Sequence, residues 1–106
     1  MVSIIGAGIT SFGRHLERTI VSLALEATMQ ALTDAGIEKK QVGACYFANT
    51  MGPLLFGDTT IGQNLTAAAG LQGIPVVNVE NACASGSSAF HLACNAILAG
   101  DCETVL

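Results

Sequence analysis

Ile74-Pro75-Val76-Val77-Asn78-Val79-Glu80-Asn81-Ala82-Cys83-Ala84-Ser85-Gly86-Ser87-Ser88 changes character in its middle. Up to Val79 it is rich in β-branched residues, whose side chains fit a pleated sheet, and it reads as a strand. Beyond Asn81 it is almost without large side chains and reads as a helix, with Asn81 as its cap and its end near Gly100. A strand that runs directly into a helix is the unit from which parallel α/β sheets are assembled.

Working outward, the same order recurs. Val2 to Ile9 is a short apolar run read as a first strand, followed by a polar loop from Thr10 to Arg18. Thr19 can cap a helix because its hydroxyl accepts from an unpaired first-turn N–H. Leu23, Ala24, Ala27, Ala31 and Ala35 then recur at helical spacing, and Gly36 can close the helix in the left-handed conformation. Val42 to Asn49 reads as a second strand, Thr50 to Gly57 as a loop, and Asp58 as the cap of a short helix reaching Ala69. Glu103 opens a further strand. The alternation βαβαβαβ predicts an α/β layered fold with right-handed crossovers. Parallel strands are expected near 2–9, 42–48 and 75–80, with a fourth from about 103. Helices are expected near 20–35, 59–69 and 83–99.

The helix near 83–99 is unusual. Gly86 inside it costs roughly 1 kcal/mol relative to Ala, a cost accepted where another backbone comes close. It also has no charged face, so burial on most sides is expected. Composition points the same way: 51% of the 106 residues are hydrophobic and 11% charged, which is apolar for a lone small domain. The expectation is one partial domain over 1–106 that belongs to something larger or buries surface against a partner.

The net charge is −4, and Lys39-Lys40 is the one basic pair, so the footprint that nucleic acid requires is missing. No apolar run approaches the roughly 20 residues that span a bilayer, and the first residues lack a signal-peptide pattern. An intracellular, cytoplasmic location is expected, with the peroxisome as the eukaryotic alternative. Cys45, Cys83, Cys94 and Cys102 form no C-x-x-C pair, so neither a structural zinc site nor any other metal is expected. Disulfides are not expected without secretion. Asn64-Leu65-Thr66 fits the glycosylation pattern but is idle in the cytosol.

Gly6-Ala7-Gly8-Ile9-Thr10-Ser11 is a near miss to the dinucleotide fingerprint. Its third glycine is Ser11, no helix opens there, and Glu26 falls inside a helix rather than at a strand end near a ribose. A strand-end turn is the simpler reading. Cys83 carries more chemistry, standing in what reads as the first turn of a helix directly after a strand. The thiolate is the reactive form of cysteine, and unpaired N–H groups with the positive end of the helix dipole favour that anion. Small neighbours leave room for a substrate. Placement alone leaves two readings open: a reactive thiol, or a small buried hydrophobe.

Three blocks carry a family resemblance: Gly6 to Gly13, Leu32-Thr33-Asp34-Ala35-Gly36-Ile37, and Phe56 to Gln63 continued by Gly73 to Ser87. Together they resemble the thiolase superfamily, closest to the sterol-carrier-protein-type and archaeal-like thiolases. The resemblance covers nearly the whole chain. It implies the first half of a thiolase-like N-terminal domain and an acyltransferase that forms or cleaves 3-ketoacyl-CoA. Cys83 would hold the acyl group as a thioester, and its N–H would be one donor of an oxyanion hole. Coenzyme A and acyl-CoA would be substrates, no cofactor would be held covalently, and the assembly would be a homodimer or tetramer. The family's activating histidine, its second cysteine and its other oxyanion donors match no residue here, so the fragment alone is expected to be inactive. No residue is assigned to coenzyme A.

The chain's own histidines do not replace that base. His91 stands eight residues along the same helix, about 12 Å away at 1.5 Å per residue, whereas a general base needs hydrogen-bond reach. Nothing local brings His15 near. Cys45, Cys94 and Cys102 read as core residues. Glu80 is expected to point away from the sulfur, since a carboxylate there opposes a thiolate. Two other functions compete: a β-ketoacyl synthase or a thiolase-like lyase acting on sterol side chains, and a non-catalytic dimerisation or partner-binding module.

Overall fold

The computed structural model describes residues 1–106. Helix α1 (Ile20–Ala35) begins at Thr19, whose hydroxyl accepts the Ser22 N–H, and ends at Gly36 with φ of 65°. Strand β1 (Cys45–Ala48) follows a short 3-10 turn, and helix α2 (Gly52–Phe56) occupies part of the expected loop. Helix α3 (Ile61–Ala69), strand β2 (Val76–Val79) and helix α4 (Ser85–Ala99) complete the order. The two strands are parallel, in register from Cys45 opposite Val76 to Ala48 opposite Val79. On its other edge the β1 segment receives the chain's last residues: Ala44 bridges Val105 in parallel, and the Tyr46 N–H donates to the Leu106 carbonyl at 2.8 Å.

Side chains alternate across a strand, and this separates the layers. Phe47 meets Gly62 of α3, whereas Tyr46 and Ala48 line a groove with Gly86, Ala89 and Phe90 of α4. Helices α3 and α4 therefore cover opposite faces of the sheet, and α1 packs on α3. The core joins Leu32, Val42, Ala69 and Leu71, with Leu25, Ile37, Ile74 and Leu106 against them.

The expected strand over 2–9 does not form. The segment instead lies along α1, where the Ala7 N–H donates to the Asp34 carboxylate at 2.9 Å and the Ile9 N–H to the Gln30 side chain at 3.0 Å. A Cβ on Gly6 would meet the Ala31 carbonyl and Ala35. The alanine stripe of α1 thus admits a backbone rather than side chains. The other strands are shorter than expected, and that of the last residues is a single bridge.

Helix α4 is less covered than its composition led us to expect. Only Ser85, Ala89 and Ala96 are buried in it, and Phe90 and Leu98 are exposed. A Cβ on Gly86 would meet nothing within 4 Å, so no backbone of this chain approaches it. Leu54, Leu55 and Phe56 of α2 are exposed as well. No helix is long and apolar enough to cross a membrane.

Candidate active site

The chain leaves β2 at buried Val79 and turns through residues 80–84 into α4. In that turn Ala82 has φ of 46°, the one non-glycine residue in the left-handed region, a conformation that costs of order 1–3 kcal/mol where the surroundings impose it. Several bonds do so. Glu80 accepts the Ala82 N–H at 2.7 Å, and the Asn81 carbonyl accepts the Ala84 N–H at 2.9 Å. The buried Ser85 hydroxyl accepts the Asn81 N–H and approaches the Ala82 carbonyl, both at 2.8 Å. Thr50, in the segment after β1, places its hydroxyl 2.6 Å from that same carbonyl and 2.8 Å from Ser85 Oγ.

Cys83 sits at the crest of this turn and is exposed. It stands one residue before the N-cap position, which is Ala84, and so lies outside the helix rather than in its first turn. Asn81 is not the cap; its side-chain amide donates to Ser88 Oγ at 2.9 Å. Ala84 has no side chain able to accept, and the N–H groups of Cys83, Gly86 and Ser87 donate to no acceptor in the chain. An exposed cysteine therefore carries an uncommitted N–H of its own, with two more at the start of α4. That is the arrangement in which a carbonyl attacked by the sulfur finds hydrogen bonds for its developing negative charge.

The Glu80 carboxylate is spent on the turn's own backbone, at the Ala82 N–H. With Asn49, Asp58 and Asn78 it lines a cleft of about 180 Å³. Asp58 does not cap α3 either. It accepts from the Thr60 N–H and hydroxyl and from Asn64, bonds that hold its pKa below the ordinary carboxylate value, the Thr60 N–H most of all. The first turn of α3 is capped from β2 instead, where Asn78 Oδ1 accepts the Gly62 N–H at 2.8 Å.

His91 is exposed on α4 and contacts Asn95 at 3.1 Å. His15 contacts the Ser11 carbonyl at 2.8 Å, and Glu26 pairs with Arg18 at 2.6 Å. Cys45 is buried, and burial pushes its thiol up to about 11. Cys94 and Cys102 are only half-buried; Cys94 lines the groove under the N-terminal segment, and Cys102 lies against Gly43. Thr50 and Ser85 escaped the sequence reading. Ser85 had counted only as a small residue leaving access to the sulfur, and nothing local marks Thr50.

Residues 2–106 match the family described as thiolase, N-terminal domain. The chain is 40% identical over 105 residues to an acetyl-CoA acetyltransferase of Methanocaldococcus jannaschii, covering 99% of this chain and 27% of that protein. It is 39% identical over 110 residues to human sterol carrier protein 2, covering 99% of this chain and 19% of that one. The chain thus spans about a quarter or less of the length of these relatives. A 3-oxoacyl-[acyl-carrier-protein] synthase III from Aquifex aeolicus superposes with a TM-score of 0.74 over 89% of this chain and 30% of that one. At 21% identity this last likeness shows a shared fold alone.

Proposed function

The chain belongs to the thiolase family through its N-terminal domain, and from that premise we propose that it carries the acyl-accepting cysteine of an enzyme that forms or cleaves 3-ketoacyl-CoA. The observation that carries this reading is the exposed Cys83 on a strained strand-to-helix turn, beside N–H groups with no partner. In the proposed step the Cys83 sulfur attacks the thioester carbonyl of an acyl-CoA. A bond forms from Sγ to that carbon, the carbon–sulfur bond to coenzyme A breaks, and coenzyme A leaves as a thiol with the proton given up by Cys83. The carbonyl oxygen, negative in the intermediate, is offered the Cys83 N–H.

The base that moves the proton is not assigned to His91, which stands well inside α4 and contacts Asn95. Residues 1–106 alone are therefore proposed to lack turnover. The exposed apolar side chains of α2 and α4 support a homo-oligomer or a larger chain around them.

The test is mass mapping after incubation of the complete polypeptide that carries residues 1–106 with acetyl-CoA. An acetyl adduct is expected on Cys83, absent in Cys83→Ser together with acyl transfer. Transfer at the wild-type rate in Cys83→Ser sinks the reading and leaves a non-catalytic module as the better one.

A further inference from the structure

The Ala82 carbonyl and the Cys83 N–H are the two ends of one peptide group. That group is trans and planar, so whatever fixes the carbonyl oxygen also fixes the direction of the N–H on its opposite side. Two hydroxyls meet at this oxygen. Ser85 belongs to the turn and moves with it. Thr50 does not: it lies 32 positions away in sequence. It is also tied to the sheet, because the neighbouring Asn49 N–H donates to the Val79 carbonyl at 3.2 Å and extends the β1–β2 ladder. Of the side-chain bonds that reach residues 80–85, those from outside the stretch 80–88 come from Thr50.

The Ala82 carbonyl can only accept, and the shorter of its two hydroxyl contacts is Thr50 Oγ1 at 2.6 Å against 2.8 Å for Ser85 Oγ. The Ser85 hydroxyl accepts the Asn81 N–H and can turn its own proton to Thr50 Oγ1 or to the carbonyl. The carbonyl also accepts the Ser85 N–H at 3.2 Å, and a carbonyl that accepts more than one bond is polarised, which strengthens the N–H at the other end of the same group as a donor. That N–H is the uncommitted one at Cys83.

We propose that Thr50 is a positioning residue: by donating to the Ala82 carbonyl it anchors the peptide plane to the sheet and aims the Cys83 N–H at the oxygen of the acyl group on Cys83. The proposal rests on Cys83 being the nucleophile. It separates two reactions of the same sulfur. Acylation builds negative charge on a carbonyl oxygen and needs the aimed N–H. Alkylation by iodoacetamide displaces iodide at carbon, builds no such oxyanion and does not.

The experiment compares Thr50→Val and Thr50→Ser with wild type in the complete polypeptide, following acyl-enzyme formation from acetyl-CoA and alkylation of Cys83. Thr50→Val is expected to slow acylation about tenfold or more, with KM and the alkylation rate within about twofold. Thr50→Ser, which keeps the hydroxyl, is expected to acylate within about twofold of wild type. Wild-type acylation in Thr50→Val overturns the proposal. So does an equal fall in both reactions, which would mean that Thr50 merely holds the turn together. If Thr50→Val does not fold, Thr50→Ser decides: acylation about tenfold down overturns the proposal, and wild-type acylation upholds it. The two readings fail separately. An active Cys83→Ser sinks the nucleophile, whereas an inactive Cys83→Ser beside an unimpaired Thr50→Val sinks only the role of Thr50.

Discussion

The backbone of Gly8 lies directly against the carbonyl of Ala27, so that a Cβ on Gly8 would run into that oxygen and the adjoining helix backbone. The obstacle is main chain and cannot rotate aside. Gly8→Ala is therefore expected to destabilise the protein by about 3 kcal/mol, the upper end of what overpacking costs. Urea denaturation reads this as a lower midpoint; an unchanged midpoint would show that the segment is not held against α1.

The four cysteines should separate by reactivity. Cys83 is exposed and is expected to be alkylated first by iodoacetamide. Half-buried Cys94 and Cys102 should follow, and Cys45, at 1% exposure with its thiol pushed up by burial, should be last. Peptide mapping over time checks the order, and Cys45 or Cys102 ahead of Cys83 would contradict the site.

Burial of Cys45 also sets an alkaline limit. Its thiol is raised from 9.0 to about 11 because burial penalises the thiolate. The folded state thus holds the proton more tightly than the unfolded one. The associated stability is whole below pH 9 and is lost as the pH climbs to about 11, a loss of about 2 to 3 kcal/mol. Cys45→Ala should remove this part of the slope, leaving whatever the other groups contribute. Denaturation midpoints across that range, taken as the difference between wild type and variant, isolate it. A constant difference would refute the assignment.

Asn78 should matter to a helix it does not belong to. Its side chain accepts the Gly62 N–H at 2.8 Å and donates to Gln63 at 2.6 Å, doing for α3 what the N-cap residue Thr60 does not. Asn78→Ala is expected to cost about 1 kcal/mol, as loss of an N-cap does. A melt at the wild-type temperature would argue against it.

These features mark where sequence reading succeeds. Helix α1 was legible from end to end because both its signals are local: the Thr19 hydroxyl and the positive φ of Gly36 act within one turn. The β1 and β2 cores and the α/β order were legible for the same reason, whereas Cys83, read into the first turn of α4, stands one residue before its N-cap. Asp58 and Asn81 were misread as caps because their side chains have other partners, and the first N–H groups of α4 go without an acceptor. Gly62 finds Asn78, and Asn81 turns its amide to Ser88. The segment 2–9 has strand composition, but composition does not name a partner, and here glycines seat it on a helix. Thr50 carries no local signal at all; only the parallel register of β1 and β2 brings it to the turn.

The pairing of Ala44 with Val105 has a consequence in time. One edge of β1 is closed by residues made about sixty positions later. At 5–20 residues per second, translation leaves that edge open for roughly 3 to 12 s. Throughout that interval Gly43 and Tyr46 expose N–H groups that the fold gives to Thr104 and Leu106. An open strand edge templates pairing with other chains, so the nascent protein passes through a window of vulnerability that its completed fold no longer shows at β1.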